Sequence, residues 1–379
     1  MSTLVEHARA LSERLGAPVT NHEDWRYVDL KGYAEWQPDK QNEVDHAKLI
    51  AAAGLPGADV VLIDGRIVVD DGITEAPADA IEQRWQERLE TCDLSECWSL
   101  ARPGDCRQLT LRGSAERALV IVNIITGGSS GWRLAIEAAA GTVADLTIAH
   151  LHLGRGDAAC TLDCVAGSDA VLRVDELDVP VAGGSIGRHC VTKHLRAATN
   201  THIMWTTASP GGELVRHAAW AHLDGEHGEI LLAGANALHG KDQAHNLVRM
   251  QHHVGNARSR QVFKTVVYDE TQVSFDGIIH VDEGADGTDA LQASNNLQLS
   301  PKARVATRPQ LDIYTDDVVA SHGATVGQPD EDELFYLRSR GLDQQRALQL
   351  VVGGYMMEAL EHVHSDADRT LAASSLLGH

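Results

Sequence analysis

Val262-Phe263-Lys264-Thr265-Val266-Val267-Tyr268, the corner Asp269-Glu270-Thr271-Gln272, and Val273-Ser274-Phe275-Asp276-Gly277-Ile278-Ile279-His280-Val281 form the stretch that decides the fold. Two runs rich in β-branched and aromatic residues flank a short polar corner, which is strand chemistry. On both sides of it the same texture fills the chain from about Leu109 to Thr325. Further runs are Ala118–Ile125, Thr142–Leu153, Ala170–Leu177 and Glu229–Leu232, with Gly, Asp, Asn and Ser clusters between them. Many short strands with frequent polar turns predict a sandwich, a barrel or a β-solenoid. Few clean Asn-Gly hairpins and many Gly/Ala corners favour the solenoid, although no strict repeat length is readable.

The flanks read differently. Leu4–Leu15 has helical spacing, stopped by Gly16 and Pro18. Val60–Ile63, Asp64-Gly65 and Arg66–Val69 read as strand, turn and strand, the strongest short hairpin signal. Ala78–Leu89 predicts another helix. Near the end, Asp330 with Glu333 three residues on has a capping-box arrangement, and the helix it opens carries Leu334, Phe335 and Leu337. Asp343 caps the next helix, where Leu348, Val352, Tyr355 and Ala359 share a face. Ser365–His379 lacks a strong pattern and is expected to be loose. The expected organisation is a mixed helical region over 1–110, a β core over 111–328 and a C-terminal helical region over 329–379.

Composition narrows the function. The 379 residues are ample for a large core, and the net charge is −22, with both signs scattered. That balance excludes a general nucleic-acid binder, which needs clustered Lys and Arg, and is read as solubility. Met1–Thr20 has no continuous apolar core, and no window reaches the ~18 apolar residues of a spanning helix. A soluble cytoplasmic protein with no membrane role is expected. Cys92, Cys97, Cys106, Cys160, Cys164 and Cys190 form no Cys-x-x-Cys, so zinc-ribbon and thioredoxin readings fail, and nothing after Cys190 supplies a thiolate.

The motifs of common enzymes are absent as well. Around Gly240-Lys241, Ala235 and Asp242 spoil a phosphate loop, and no dinucleotide or Gly-x-Ser-x-Gly fingerprint occurs. Ser321 and His322 are neighbours on an extended strand and point to opposite faces, which excludes a nucleophile–base pair. His252-His253, the densest pair of the twenty histidines, diverges for the same reason.

The stretch from His253 to Glu358 adds a resemblance. Asn256–Gln261, Lys264–Val267, Ser274–Ile279, Thr288–Gln292 and Asn295–Ser300 resemble consecutive blocks of the SufB/SufD family. Arg308–Ile313, Asp316-Asp317, Ser321–Gly327 and Leu334–Gly341 continue the series, and Glu23-Asp24-Trp25-Arg26-Tyr27 matches its N-terminal element. The match is dense over the last third and thin between residues 31 and 240. Ala320 stands two before the strand histidine, where the SufB branch carries a cysteine linked to cluster assembly and many SufD chains keep one too. Its absence, the lack of Cys-x-x-Cys near the start and the modest length place the chain on the SufD side.

The resemblance implies a right-handed parallel β-helix flanked by an N-terminal α(+β) region and C-terminal helices. It implies a non-enzymatic subunit that pairs with SufB through the β-helix core, while its C-terminal helices, with Leu334, Phe335 and Leu337, engage the SufC ATPase. His322 falls on the histidine implicated in cluster formation at the SufB contact, so iron or an iron–sulfur cluster is expected there transiently and none stably in the chain alone. Imidazole suits iron and thiolate suits clusters. The bland alternative is that His322 only packs or hydrogen-bonds. Asp316 and Asp317 read as turn or interface carboxylates. A homodimer is possible for the isolated subunit. Two other readings stay open, a β-helical carbohydrate-active enzyme and a purely structural partner of SufB and SufC.

Overall fold

The computed structural model describes residues 6, 8, 10, 11, 23–29, 37–88, 101–102 and 104–378. Most of the expected helix at Leu4–Leu15, and Cys92 and Cys97, lie outside these residues. Among the described residues, 6, 8, 10 and 11 are helical; the 3₁₀ turn Glu23–Trp25 and the helix His46–Ala52 (α1) come next, followed by Val60–Ile63 (β1), Arg66–Asp70 (β2), Thr74–Glu75 (β3) and Asp79–Arg88 (α2). A run of strands follows: Cys106–Leu111 (β4), Leu119–Ile125 (β5), Ser129–Ala138 (β6), Val143–His152 (β7), Asp157–Ala166 (β8) and Val171–Pro180 (β9). It continues with Arg188–Ala197 (β10), His202–Ser209 (β11), Leu214–Leu223 (β12), Glu229–Leu238 (β13) and Gln243–His252 (β14). Arg258–Val267 (β15), Gln272–Val281 (β16), Thr288–Gln298 (β17), Arg304–Ile313 (β18) and Val318–Gly327 (β19) complete it. Three helices close the chain, Glu331–Ser339 (α3), Gln344–Ala359 (α4) and Asp366–Leu377 (α5).

From β4 on, the chain alternates between two sheets. One runs β19-β17-β15-β13-β11-β9-β7-β5-β1-β2 and the other β18-β16-β14-β12-β10-β8-β6-β4-β3. Each strand pairs in parallel with the strand two along, so the core is a parallel β-solenoid. Its repeat escaped sequence reading because the corners vary. Arg188 pairs with Leu214, 26 residues on, whereas Gln272 pairs with Arg304, 32 residues on. Asp169, Asn200 and Asn256 take left-handed backbone angles at corners (φ 61°, 54° and 56°), which explains the Asn/Asp clusters between runs. The first end of the solenoid is finished by antiparallel pieces. β1 pairs back onto β2 through Asp64 (φ 47°) and Gly65 (φ 75°), as the Asp-Gly signal requires, and β3 lies antiparallel to β4.

Strand alternation sorts residues into two cores. Inward residues such as Leu146, Leu162, Val174, Leu195, Trp205 and Ile230 meet between the sheets. On the outer face of the first sheet, Leu177, Val179, Ala208, Ala235 and Val266 pack against Val352, Met356, Leu371 and Leu376 of α4 and α5. The segment expected to be loose is therefore a docked helix. Ser365 caps it by accepting from Asp368 N, and Thr147 Oγ1 donates to Asp368 Oδ2 at 2.6 Å. Its apolar residues show little pattern alone because the sheet supplies their partners. On the outer face of the second sheet, Glu23 pairs with Arg308, Asp24 with Arg249, and the Trp25 ring lies 4.8 Å from the Arg216 guanidinium. The N-terminal element thus straps three late strands.

Candidate functional site

His322 lies on β19, the last strand of its sheet, and β19 pairs on one side only, with β17. The register stacks Leu232, Gln261, Gln292 and His322 in one column. Ala320 packs on the interior core, and residues two apart share a face, so His322 shares the inward face. Among the described residues no strand pairs with β19 on its other side, and the imidazole is exposed. Beneath it Gln292 is buried, its Nε2 donates to Gln261 Oε1 at 2.7 Å, and its Oε1 finds no partner among the described residues. Ser321 points outward, as alternation demands. Leu311, Ile313 and Ala320 pack, partly buried, on the interior core from these last two strands, and Val319 is 72% and Val326 50% exposed on β19. Asp316 and Asp317 are exposed at the β18–β19 corner, where the Asp317 carbonyl accepts from Gly287 N at 2.7 Å.

Leu334, Phe335 and Leu337 sit on α3, which Asp330 caps by accepting from Asp332 N at 2.8 Å. α3 buries none of its residues, and Phe335 is 70% exposed. Leu334 and Leu337 are half-buried. A groove of about 840 Å³ runs between α3, α4 and the end of β17; Leu297, Leu337, Leu350 and Tyr355 give it an apolar floor, with Asp332 and Glu358 on its rim. The three residues singled out in the sequence are thus split. Leu337 lines the groove, and Phe335 stands free on the outside.

A second constellation, missed in the sequence, is shut inside the solenoid. His150 from β7, Glu176 and Asp178 from β9, His189 and Lys193 from β10, and His217 from β12 are all buried. Lys193 Nζ donates to Glu176 Oε2, which also accepts from Trp205 Nε1 at 2.6 Å. Asp178 Oδ1 lies 2.9 Å from His189 Nδ1 and 3.4 Å from His152 Nε2, and its Oδ2 lies 3.1 Å from His217 Nε2. Glu176 Oε1 sits 3.4 Å from His217 Nδ1 and 3.8 Å from His150 Nε2; neither contact is an aligned hydrogen bond, and all three atoms lack partners by geometry. Burial pushes the Glu176 carboxyl up, but Lys193 with His150 and His217 outweighs it and holds the group well below the usual range. Asp178 is held low in the same way by His189, His152 and His217. Burial pushes His189 down to about 3, despite Asp178. For His217 the two carboxylates overcome burial and raise it. The available sequence signal was a pair of polar residues at period two on an inward face, His150-x-His152 and Glu176-x-Asp178.

Among the described residues no cysteine joins a cluster of three or more potential metal ligands. Cys160 and Cys164 are buried among inward apolar residues, and burial pushes both thiols up; Cys106 is pushed up to about 12. His252 and His253 diverge as expected. His252 Nε2 sits 2.8 Å from Ser259 Oγ in the interior, and His253 lies outside between His222 at 3.1 Å and Asp282 at 2.7 Å. Among the described residues no helix is long and apolar enough to cross a membrane.

Comparison with known proteins follows the same ground. Residues 125–355 match the family described as SUF system FeS cluster assembly, SufBD core domain. The iron–sulfur cluster assembly protein SufD of Escherichia coli is 27% identical over 369 residues, covering 93% of this chain and 87% of the relative. An iron–sulfur cluster assembly SufBD family protein of Synechocystis is 32% identical over 177 residues, 46% of this chain and 39% of its own length. The chloroplastic protein ABCI7 of Arabidopsis thaliana is 34% identical over 135 residues, 35% of this chain and 28% of that one.

Proposed function

The chain belongs to the SufBD family of SUF-system iron–sulfur cluster assembly proteins, and from that premise we propose that it is a non-catalytic, SufD-like subunit. It pairs with SufB through the open end of the solenoid, presents His322 to the joint, and carries the SufC ATPase on α3 and α4. The single observation that supports this reading is the bare end itself. β18 and β19 are the last strands of their sheets, and Val319 and Val326 are exposed on β19. Long unpaired edges of this kind are normally shortened, charged or covered, because they template pairing with another chain. Partner strands laid on both edges would continue the two sheets and close His322 into the joint. A second copy of this chain could occupy the same edges when SufB is absent. Iron, or the cluster, is cargo here: a neutral imidazole from this chain and a thiolate from SufB are suitable donors.

His322→Ala in the co-expressed complex tests the proposal. Complex yield should hold while iron–sulfur content falls, and His322→Cys should restore part of it. Full cluster content in His322→Ala would remove the histidine from the proposal. SufC docking is better tested by point changes than by truncation after Gly327. Removing α4 and α5 would bare Leu177, Val179, Ala208 and Val266, and the product should aggregate for that reason alone. Phe335→Asp alters an exposed residue, so the chain should fold normally and lose SufC binding. Unchanged SufC affinity would sink the docking assignment.

A further inference from the structure

The buried constellation lies far from the open end. From β9 to β19 the sheet steps through β11, β13, β15 and β17, about 24 Å at ~4.8 Å per strand. Whatever these side chains do, they do it apart from His322.

Their arrangement is unusual for a purely structural network. Buried imidazoles normally place at least one ring nitrogen against a partner, yet both nitrogens of His150 are fully buried and unpartnered, and so is Nε2 of His189. These orphaned donors and acceptors stand beside Asp178. One ligand atom from each of His150, Asp178 and His189 lies within 4.8 Å of the others. The three come from β7, β9 and β10, so they join both sheets. Around them, Glu176 Oε1 is also unpartnered, Asp178 is held by His152 and His217, and Lys193 is tied to the other oxygen of Glu176. Beside Lys193, Thr207, His217 and Asn246 is a cavity of about 20 Å³, enough for one water.

The geometry points to a first-row divalent metal site in the solenoid interior, with His150, His189 and Asp178 as its protein ligands. Two imidazoles and a carboxylate form a donor set suited to Fe²⁺ or Zn²⁺, and less so to Mg²⁺ or Ca²⁺, which favour all-oxygen shells. Bonds of about 2.0–2.2 Å require the three donors to draw inward from their present spacing. His150 can do so without breaking a hydrogen bond, since it makes none. Glu176 Oε1, 3.8 Å from His150 Nε2 and outside the three-residue cluster, offers an acceptor for a bound water. An ion there would clamp the two sheets together in the middle turns.

The test uses the full chain, stripped with a chelator and titrated anaerobically with Fe²⁺ in one arm and Zn²⁺ in another. One ion per chain should survive gel filtration, and X-ray absorption at its edge should show a nitrogen/oxygen shell containing two imidazoles. His150→Phe keeps an aromatic ring and removes a donor. Its affinity should fall by more than the ~10–100-fold that outer-sphere changes cost. His322→Ala should keep the ion, which separates this site from the open end. Only trace metal in the wild type, a sulfur shell, or full retention by a folded His150→Phe would overturn the proposal. If His150→Phe does not fold, the wild-type shell decides alone, and fewer than two imidazoles overturns it.

Discussion

The middle turns of the solenoid and its last turn are made of the same ladder and become opposite environments. Lys193 on β10 and His322 on β19 both face inward, yet Lys193 is sealed among Glu176, Trp205 and Thr207 while His322 stands exposed. The difference is not in either strand. β10 has β8 and β12 on its flanks and a complete opposite sheet, whereas β19 has only β17. In a solenoid each turn is shielded by its neighbours, and a terminal turn exposes its interior unless a cap is supplied. The first end has such a cap in β2 and β3, and the last end has none among the described residues.

That contrast can be broken or sharpened by matched changes. The largest effect is expected for Lys193→Met, which leaves the buried Glu176 carboxylate without its cation. Losing one partner of a buried ion pair costs about 3–5 kcal/mol, to be read from urea unfolding of the purified chain. A loss under about 1 kcal/mol, the range of solvent-exposed pairs, would show that water reaches the interior around Glu176.

Glycines offer a second pair. A Cβ on Gly234, in β13, would meet Phe263 Cδ1 at 2.3 Å, and one on Gly323, in β19, would meet nothing within 4 Å. Gly234→Ala should therefore cost about 1–3 kcal/mol by overpacking. Gly323→Ala should change the stability of the isolated chain by less than about 0.5 kcal/mol, as should His322→Ala. Equal costs at the two glycines would mean that the open end is covered even without a partner.

A third comparison uses pH. Over the middle turns, α5 is held by Asp175, which accepts from His364 N and Ser365 N, and by Asp368 beside it. Burial pushes Asp175 up to about 7 and raises Asp368 as well. A carboxyl raised in the folded state binds protons that the unfolded chain has released. Its contribution is full below the ordinary value near 4 and is lost as pH rises through about 7. Amide exchange in α5 should accordingly speed up between pH 5 and 8, beyond its intrinsic rise, by on the order of ten-fold or more. Asp368→Asn should flatten the trend, and β19, which no such pair covers, should show none.

Local chemistry carried the elements. The Asp-Gly turn between β1 and β2, the helix starts at Asp330 and Asp343, and the alternating β-branched runs are specified by backbone preference and near neighbours, which act within a few residues. That Ala320 and His322 share one face, with Ser321 on the other, also follows from strand alternation alone. The tertiary structure decided what those elements meet. α5 looked loose because Leu371, Ala372 and Leu376 find their partners on β9, β11 and β13 rather than within the segment. The His150–Glu176–Asp178–His189–Lys193–His217 constellation could not be read because its members lie on four strands, brought together by corners of unequal length. Burial is the reason for the division. A strand's faces are set by its own geometry, but whether a face is dry, charged or bare depends on the strands stacked beside it, and those are fixed only when the whole solenoid closes.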